Sequence, residues 1–473
     1  LSATASAGNI TDTGVLTISG TSAFITSADD ADITLDSATN AFTGAVSVTT
    51  NGSSGDVLLV NNGALAFGAS TIDGTLSATA SAGNITDTGV LTISGTSAFI
   101  TSADDADITL DSATNAFTGA VSVTTNGSSG DVLLVNNGAL AFGASTIDGT
   151  LSATATTGNI TDTGTQTISG AATYITTADD ASIILDGASN TYGAGVKFQA
   201  GDGSNATFTN LTFVDTGGIH LDVNAGAAGD LWIDATTDGA LSGVLTLTAA
   251  SGNVTQTQSL AVTGATSVTT SGSNATIALG NTSNSFGGAV TLSTTGGSGD
   301  VTIDGGTAAL AIDTSSIGGD LTLTSGHVSG ITDDGTVTVG GNLSATTDAG
   351  SGVINMGTLA VTGTVALATH SSGDATVVNA SGLNFGNTTV TGALSATASA
   401  GNITDTGVLT ISGTSAFITS ADDADITLDS ATNAFTGAVS VTTNGSSGDV
   451  LLVNNGALAF GASTIDGTLS ATA

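Results

Sequence analysis

The sequence predicts an all-β fold, a single-stranded parallel β-helix, from three observations. A 75-residue block, 1–75, returns letter for letter as 76–150 and as 394–468, and a fixed internal period marks a stacked-repeat architecture. Within the block apolar and polar residues alternate, as in Asp32-Ile33-Thr34-Leu35-Asp36, which gives each strand one dry face and one wet face. The 473 residues include 67 glycines and no proline. That composition suits strands hydrogen-bonded on both sides and corners that need positive φ.

Taken in order, the block divides into LSATASAGNITDTGVLTIS, SAFITSADDADITLDSATNAFTG and AVSVTTNGSSGDVLLVNNGALAFGAST. Each passage reads as strand, turn, strand, turn, strand, a rung of three strands and about 25 residues. Leu1, Phe24 and Val48 form one expected column. Ile10, Ile33 and Val57 form a second, nine residues further on, and Leu16, Phe42 and Leu65 a third. The parse therefore predicts Ile10, Ile33, Val57 and Ile85 in one inward column. Beside them Gly8, Ala31 and Gly55 let the turns stack closely, while Asn9, Asp32 and Asp56 offer side chains that can bond the neighbouring copy.

The remaining blocks, 151–240, 241–320 and 321–393, read as four, three and three rungs, and 469–473 starts another copy. The sum is about 19 rungs, a rod on the order of 90 Å long, read as one continuous β-helix over 1–473. The identity of 394–473 with 1–80 makes the chain look like a window on a longer array.

Charge excludes whole classes of partner. The net charge is −38, with a single basic residue other than histidine, Lys197, so neither nucleic acid nor an anionic membrane surface finds the lysines and arginines it requires. No apolar run reaches the length of a spanning helix and no signal-peptide pattern is present, so direct membrane insertion is not expected. The absence of cysteine is compatible with an oxidising surrounding.

The runs GNITDTGVLTISG, ADITLDSATNAFTGAVSVTT and GALAFGASTIDGTLSATA resemble the repeats of very large bacterial surface proteins of the filamentous haemagglutinin and autotransporter-adhesin kind. The resemblance implies a right-handed parallel β-helix, export across the outer membrane, and a role in adhesion or surface fibres. Two departures stand out: the amino-terminal secretion domain of that family is not in the sequence, and identical tandem copies suggest a more regular fibre than a typical adhesin.

Few residues suggest chemistry. The acidic corner Asp29, Asp30, Asp32, with its copies Asp104, Asp105, Asp107 and Asp422, Asp423, Asp425, gathers hard oxygen ligands and is a candidate Ca²⁺ site. The competing reading is a solvated turn whose aspartates bond the local backbone, and no other cofactor is expected. The stretch 195–234 collects Lys197, Asp202, His220 and Trp232, the one tryptophan. The strand register turns Trp232 outward, where it can stack on a ligand or on a neighbouring rod. His327 and His370 read as surface residues at the corners.

No enzyme is expected. A polysaccharide lyase would need cations to neutralise its substrate, no carboxylate pair is singled out for glycoside hydrolysis, and no histidine lies in a nucleophile motif. Outward threonines such as Thr11, Thr13, Thr49 and Thr50 raise ice binding, but the outward positions mix Asp, Asn, Ser and Thr too freely for a flat lattice. The sequence thus favours a structural segment of a large secreted or cell-surface fibre that self-associates along its length. The alternative is the stalk of an adhesin whose receptor-binding region lies elsewhere.

Overall fold

A computed structural model describes residues 1–201, 207–235 and 239–473. The protein is an all-β parallel β-helix of about 21 turns. Its residues cluster into two compact units, Leu1–Ser242 and Gly243–Ala473. In unit 1 two parallel sheets flank the core, and each inward residue stacks on its equivalent one turn away: Ile10 on Ile33, Ile33 on Val57. Alternation does the sorting. In Leu76–Ala80 the residues Leu76, Ala78 and Ala80 are buried, while Ser77 and Thr79 face out.

A typical turn places one long strand on one side and two short strands on the other. Ser97–Asp104 is long, and Ile108–Leu110 with Ala116–Phe117 form the broken side. The third passage of the block breaks this rule. Val46–Thr49 and Val57–Asn61 are both long, so the short pair Leu65–Phe67 and Ser70–Ile72 falls back on the side that Val46–Thr49 occupied. From there the two sides exchange roles.

The exchange sets the phase of the whole repeat. Following one outward column, Thr4 pairs with Ile25, Ile25 with Thr49, Thr49 with Thr71, Thr71 with Thr92 and Thr92 with Ala116. Phe117 then meets Asn136, and Asn136 pairs with Ala155 in the third block. Two blocks, 150 residues, therefore take seven turns of about 21 residues each. One 75-residue block makes three and a half turns, and consecutive copies are rotated by half a turn.

This changes the expected rungs in number and in content. Ile10, Ile33 and Val57 share a column as predicted, but Ile85 lies in the opposite sheet between Leu65 and Ile108. Phe24 sits between Ala3 and Val48 and not above Leu1, because the corner at 6–9 is shorter than the one at 27–32. Leu65 stacks on Ile85 and not on Phe42, whose backbone N–H donates to Asn61 Oδ1 at 2.8 Å. Asn61, buried at the end of the long strand, also donates to the carbonyls of Phe42 and Ala64 at 3.0 and 2.6 Å. It closes the edge that the role exchange would leave unpaired.

The core carries aromatic rings at regular places. Phe67, Phe99 and Phe117 meet edge to face, with centroids 6.2 and 5.9 Å apart. The third block carries Tyr174 and Tyr192 where its siblings carry Phe24 and Phe42. Both rings are buried, and burial drives both phenols far above their ordinary range. A second polar position is Ser22, repeated as Ser97 and Ser415, whose buried hydroxyl has no partner; the third block has Ala172 there. Ser97→Ala is expected to raise stability by about 1 kcal/mol, since it removes an unsatisfied hydroxyl from an apolar wall. Denaturant melts of the two proteins check the sign, and a loss of stability would show that the hydroxyl is paired.

Candidate functional site

The acidic corner is built by the turn that follows a long strand. In SADDAD, Thr26 Oγ1 donates to the Ala31 carbonyl at 3.0 Å, and Asp30 takes a left-handed conformation, φ 59°. Aspartate tolerates that conformation better than most residues. Asp105 and Asp423 repeat it at 58° and 59°.

Each carboxylate of the corner bonds the next turn. Asp30 Oδ1 accepts from the backbone N–H groups of Ser53 and Ser54 at 2.8 and 3.0 Å. Asp29 Oδ1 accepts from Asn51 Nδ2 at 2.6 Å. Asp32 Oδ1 accepts from the Asp56 N–H at 3.0 Å, and Asp56 Oδ1 in turn accepts from the Thr75 N–H at 2.7 Å. Asn9 begins this column by accepting the Asp32 N–H at 3.0 Å. The copies keep the pattern. Asn126 donates to Asp104 at 2.7 Å, Ser128 N–H to Asp105 at 2.8 Å, and Asp131 N–H to Asp107 at 3.0 Å. At the third copy Asn444 donates to Asp422 at 2.8 Å, Ser446 N–H to Asp423 at 2.8 Å, and Asp449 N–H to Asp425 at 2.8 Å.

Backbone donors also set the acidity. The Ser53 N–H, followed by that of Ser54, holds Asp30 below its ordinary value of 3.8, and Ser128 and Ser446 lead the same effect at Asp105 and Asp423. Among the described residues no group of three Asp, Glu, His or Cys side chains converges as metal ligands would.

A lowered carboxylate pKa contributes stability that is complete above 3.8 and disappears as pH falls through the lowered value. Changing Asp30, Asp105 and Asp423 together to asparagine, which keeps the acceptor but not the charge, is therefore expected to lower neutral stability by about the increment that the wild type loses in acid and to weaken the loss in acid. Asn274 already does this work in unit 2, at φ 61°, accepting the Ser298 N–H at 3.0 Å. Melts between pH 7 and pH 3, with and without calcium, test both readings of the corner. An equal calcium shift in wild type and variant is expected, and a larger shift in the wild type would establish a specific cation site.

The block 151–240 brings Lys197 and Trp232 together. They are cross-strand neighbours, with Lys197 Nζ 4.0 Å from the centre of the indole ring and 2.6 Å from Asp234 Oδ2. The outward position of Trp232 is as predicted, but one ring face is covered by the ammonium, a cation–π arrangement. Its Nε1 is buried without a partner. His220 Nε2 lies 3.7 Å from Asp222, and Asp202 lies outside the described residues. His327 and His370 bond their own corners, through Ser329 N–H at 3.0 Å and Ser371 Oγ at 2.8 Å respectively.

Sequence reasoning missed a second row of aspartates at GNITD. Asp87 Oδ2 accepts from Asn115 Nδ2 at 2.6 Å, and Asp87 Oδ1 from the Asp111 N–H at 3.1 Å. Its copy Asp162 is more deeply placed, and burial raises its pKa. The signal was present: Asp87 follows Ile85 by two residues and so points to the same side, a polar residue at an inward position.

The repeats match a protein family described as repeats of unknown function (DUF5649) over residues 1–49, 54–124, 129–199, 208–293 and 372–442. No curated protein and no solved structure matches.

Proposed function

We propose, from the premise that this chain belongs to the DUF5649 repeat family, that it is a structural segment of a large secreted or cell-surface fibre, a spacer whose work is done by its backbone ladders. The observation that carries this reading is the use of the polar side chains. The carboxylates of the acidic corner and of the GNITD row bond the adjacent turn, so the residues with the most chemistry hold the solenoid together. Repetition supports it too, since identical blocks extend an architecture without adding a new convergence of groups.

The outer location is tested on intact cells that produce the protein. Antibodies raised against residues 1–150 should label the unpermeabilised surface or the medium, and external protease should abolish the cell-bound signal. Labelling only after permeabilisation would overturn the proposal.

A further inference from the structure

We infer that the outward threonine-rich ladders of unit 1 are docking faces for a second copy of this chain. The inference rests on the fibre reading and names where such a fibre packs. On one side Thr4, Ile25, Thr49, Thr71, Thr92 and Ala116 follow one another on successive turns. In the opposite sheet the outward residues Thr79, Ile100, Thr124, Thr146, Thr167 and Thr191 do the same. Each residue of the second ladder stands 75 positions after its counterpart in the first. The half-turn phase thus places one surface on both sides of the unit.

Three properties point to a like partner. Neither ladder holds a charged residue, although the chain carries 39 acidic residues; the exposed aspartates of the corner lie at the rim. Two copies can therefore meet face to face while their carboxylates stay in water. Every ladder residue except Ala116 is β-branched; such side chains repeated at about 4.8 Å on both partners are commensurate, and the faces interdigitate as in stacked sheets. Finally, the six strands of the first ladder hold 4, 5, 4, 3, 3 and 2 residues, so at about 3.3 Å per residue and about 4.8 Å per turn the face presents roughly 330 Å² per partner and buries roughly 670 Å² in total, the size of a weak, transient contact. Contact of that size is reversible. Because each chain offers two such faces, association is open-ended and builds layers and not closed pairs.

The chain has no cysteine, so single cysteines report contacts in the full-length protein. Under mild oxidation at physiological salt, where Debye screening shortens charge repulsion to about 8 Å, Ile100→Cys is expected to form disulfide-linked dimers. Its rate should exceed that of the exposed-corner control Ser53→Cys on the order of tenfold, because docking raises the effective thiol concentration. The double variant Ile25→Cys/Ile100→Cys should give covalent products longer than dimers on a non-reducing gel. Equal rates for Ile100→Cys and Ser53→Cys would overturn the docking face, and a double variant that stops at dimers would overturn its two-sidedness. Cross-linking as expected with no surface labelling of cells would instead refute the outer location and leave the docking face intact.

Discussion

Replacing Ile108 with aspartate is expected to unfold much of unit 1 or to lower its stability by several kcal/mol, because the carboxylate would be placed unpaired in an apolar wall. Ile108 is fully buried between Ile85 and Val132. The one lysine of the chain is committed to Asp234 on the outer surface, so no basic side chain can follow the charge inward. Ile108→Val removes one methyl group and should cost only about 1 kcal/mol. Thermal melts of the three proteins distinguish buried charge from lost volume, and an Ile108→Asp protein that melts like Ile108→Val would place this side chain in solvent.

The second large effect is expected at a glycine. Gly74, Gly95 and Gly119 stack at one corner, and a Cβ on Gly95 would come within 2.5 Å of the Gly74 carbonyl oxygen and 2.6 Å of its carbon. The obstacle is backbone, which cannot rotate away, and the Gly95 N–H donates to that same carbonyl at 2.8 Å. Gly95→Ala should therefore push two turns apart and cost about 1–3 kcal/mol, the range of overpacking. Gly63→Ala, whose nearest neighbour is Asn61 Nδ2 at 3.9 Å, should be nearly neutral. Equal melting of both variants would show that the corner has room to spare.

The inward faces were legible in the sequence because period two leaves little freedom: Ile33 and Leu35 face the core as their alternation requires. The corner was legible at Asn9, Asp32 and Asp56, which bond the adjacent turn one after another. The phase was not legible. Equal spacing of Leu1–Ile10, Phe24–Ile33 and Val48–Val57 suggested three equivalent rungs, but spacing along the chain measures a strand and its turn together. A corner shortened by two residues and a strand lengthened by two give the same interval. The register follows from the exchange of sides at Val46–Thr49 and Val57–Asn61, and Asn61, whose amide terminates the Phe42 strand through space, closes it by a contact that joins residues 19 apart. The tyrosines illustrate the same limit. Tyr174 and Tyr192 are visible as replacements for phenylalanine, yet only the fold shows that both rings are buried, Tyr174 against Phe142 and Phe198 and Tyr192 against Phe213.

The half-turn phase is the claim on which the surface and its proposed docking depend, and one pair of disulfides tests it directly. Val60 and Thr79 are neighbours in the ladder, about 4.8 Å apart as adjacent strands are, within the Cα separation a disulfide accepts. Three equal rungs per block would instead bring Asn51 beside Thr79, as the column Val48–Leu76 requires. Val60→Cys/Thr79→Cys is expected to oxidise within the chain to a product that runs faster on a non-reducing gel, and Asn51→Cys/Thr79→Cys to remain reduced. The opposite outcome, a bridge between 51 and 79 and none between 60 and 79, would contradict three and a half turns per block.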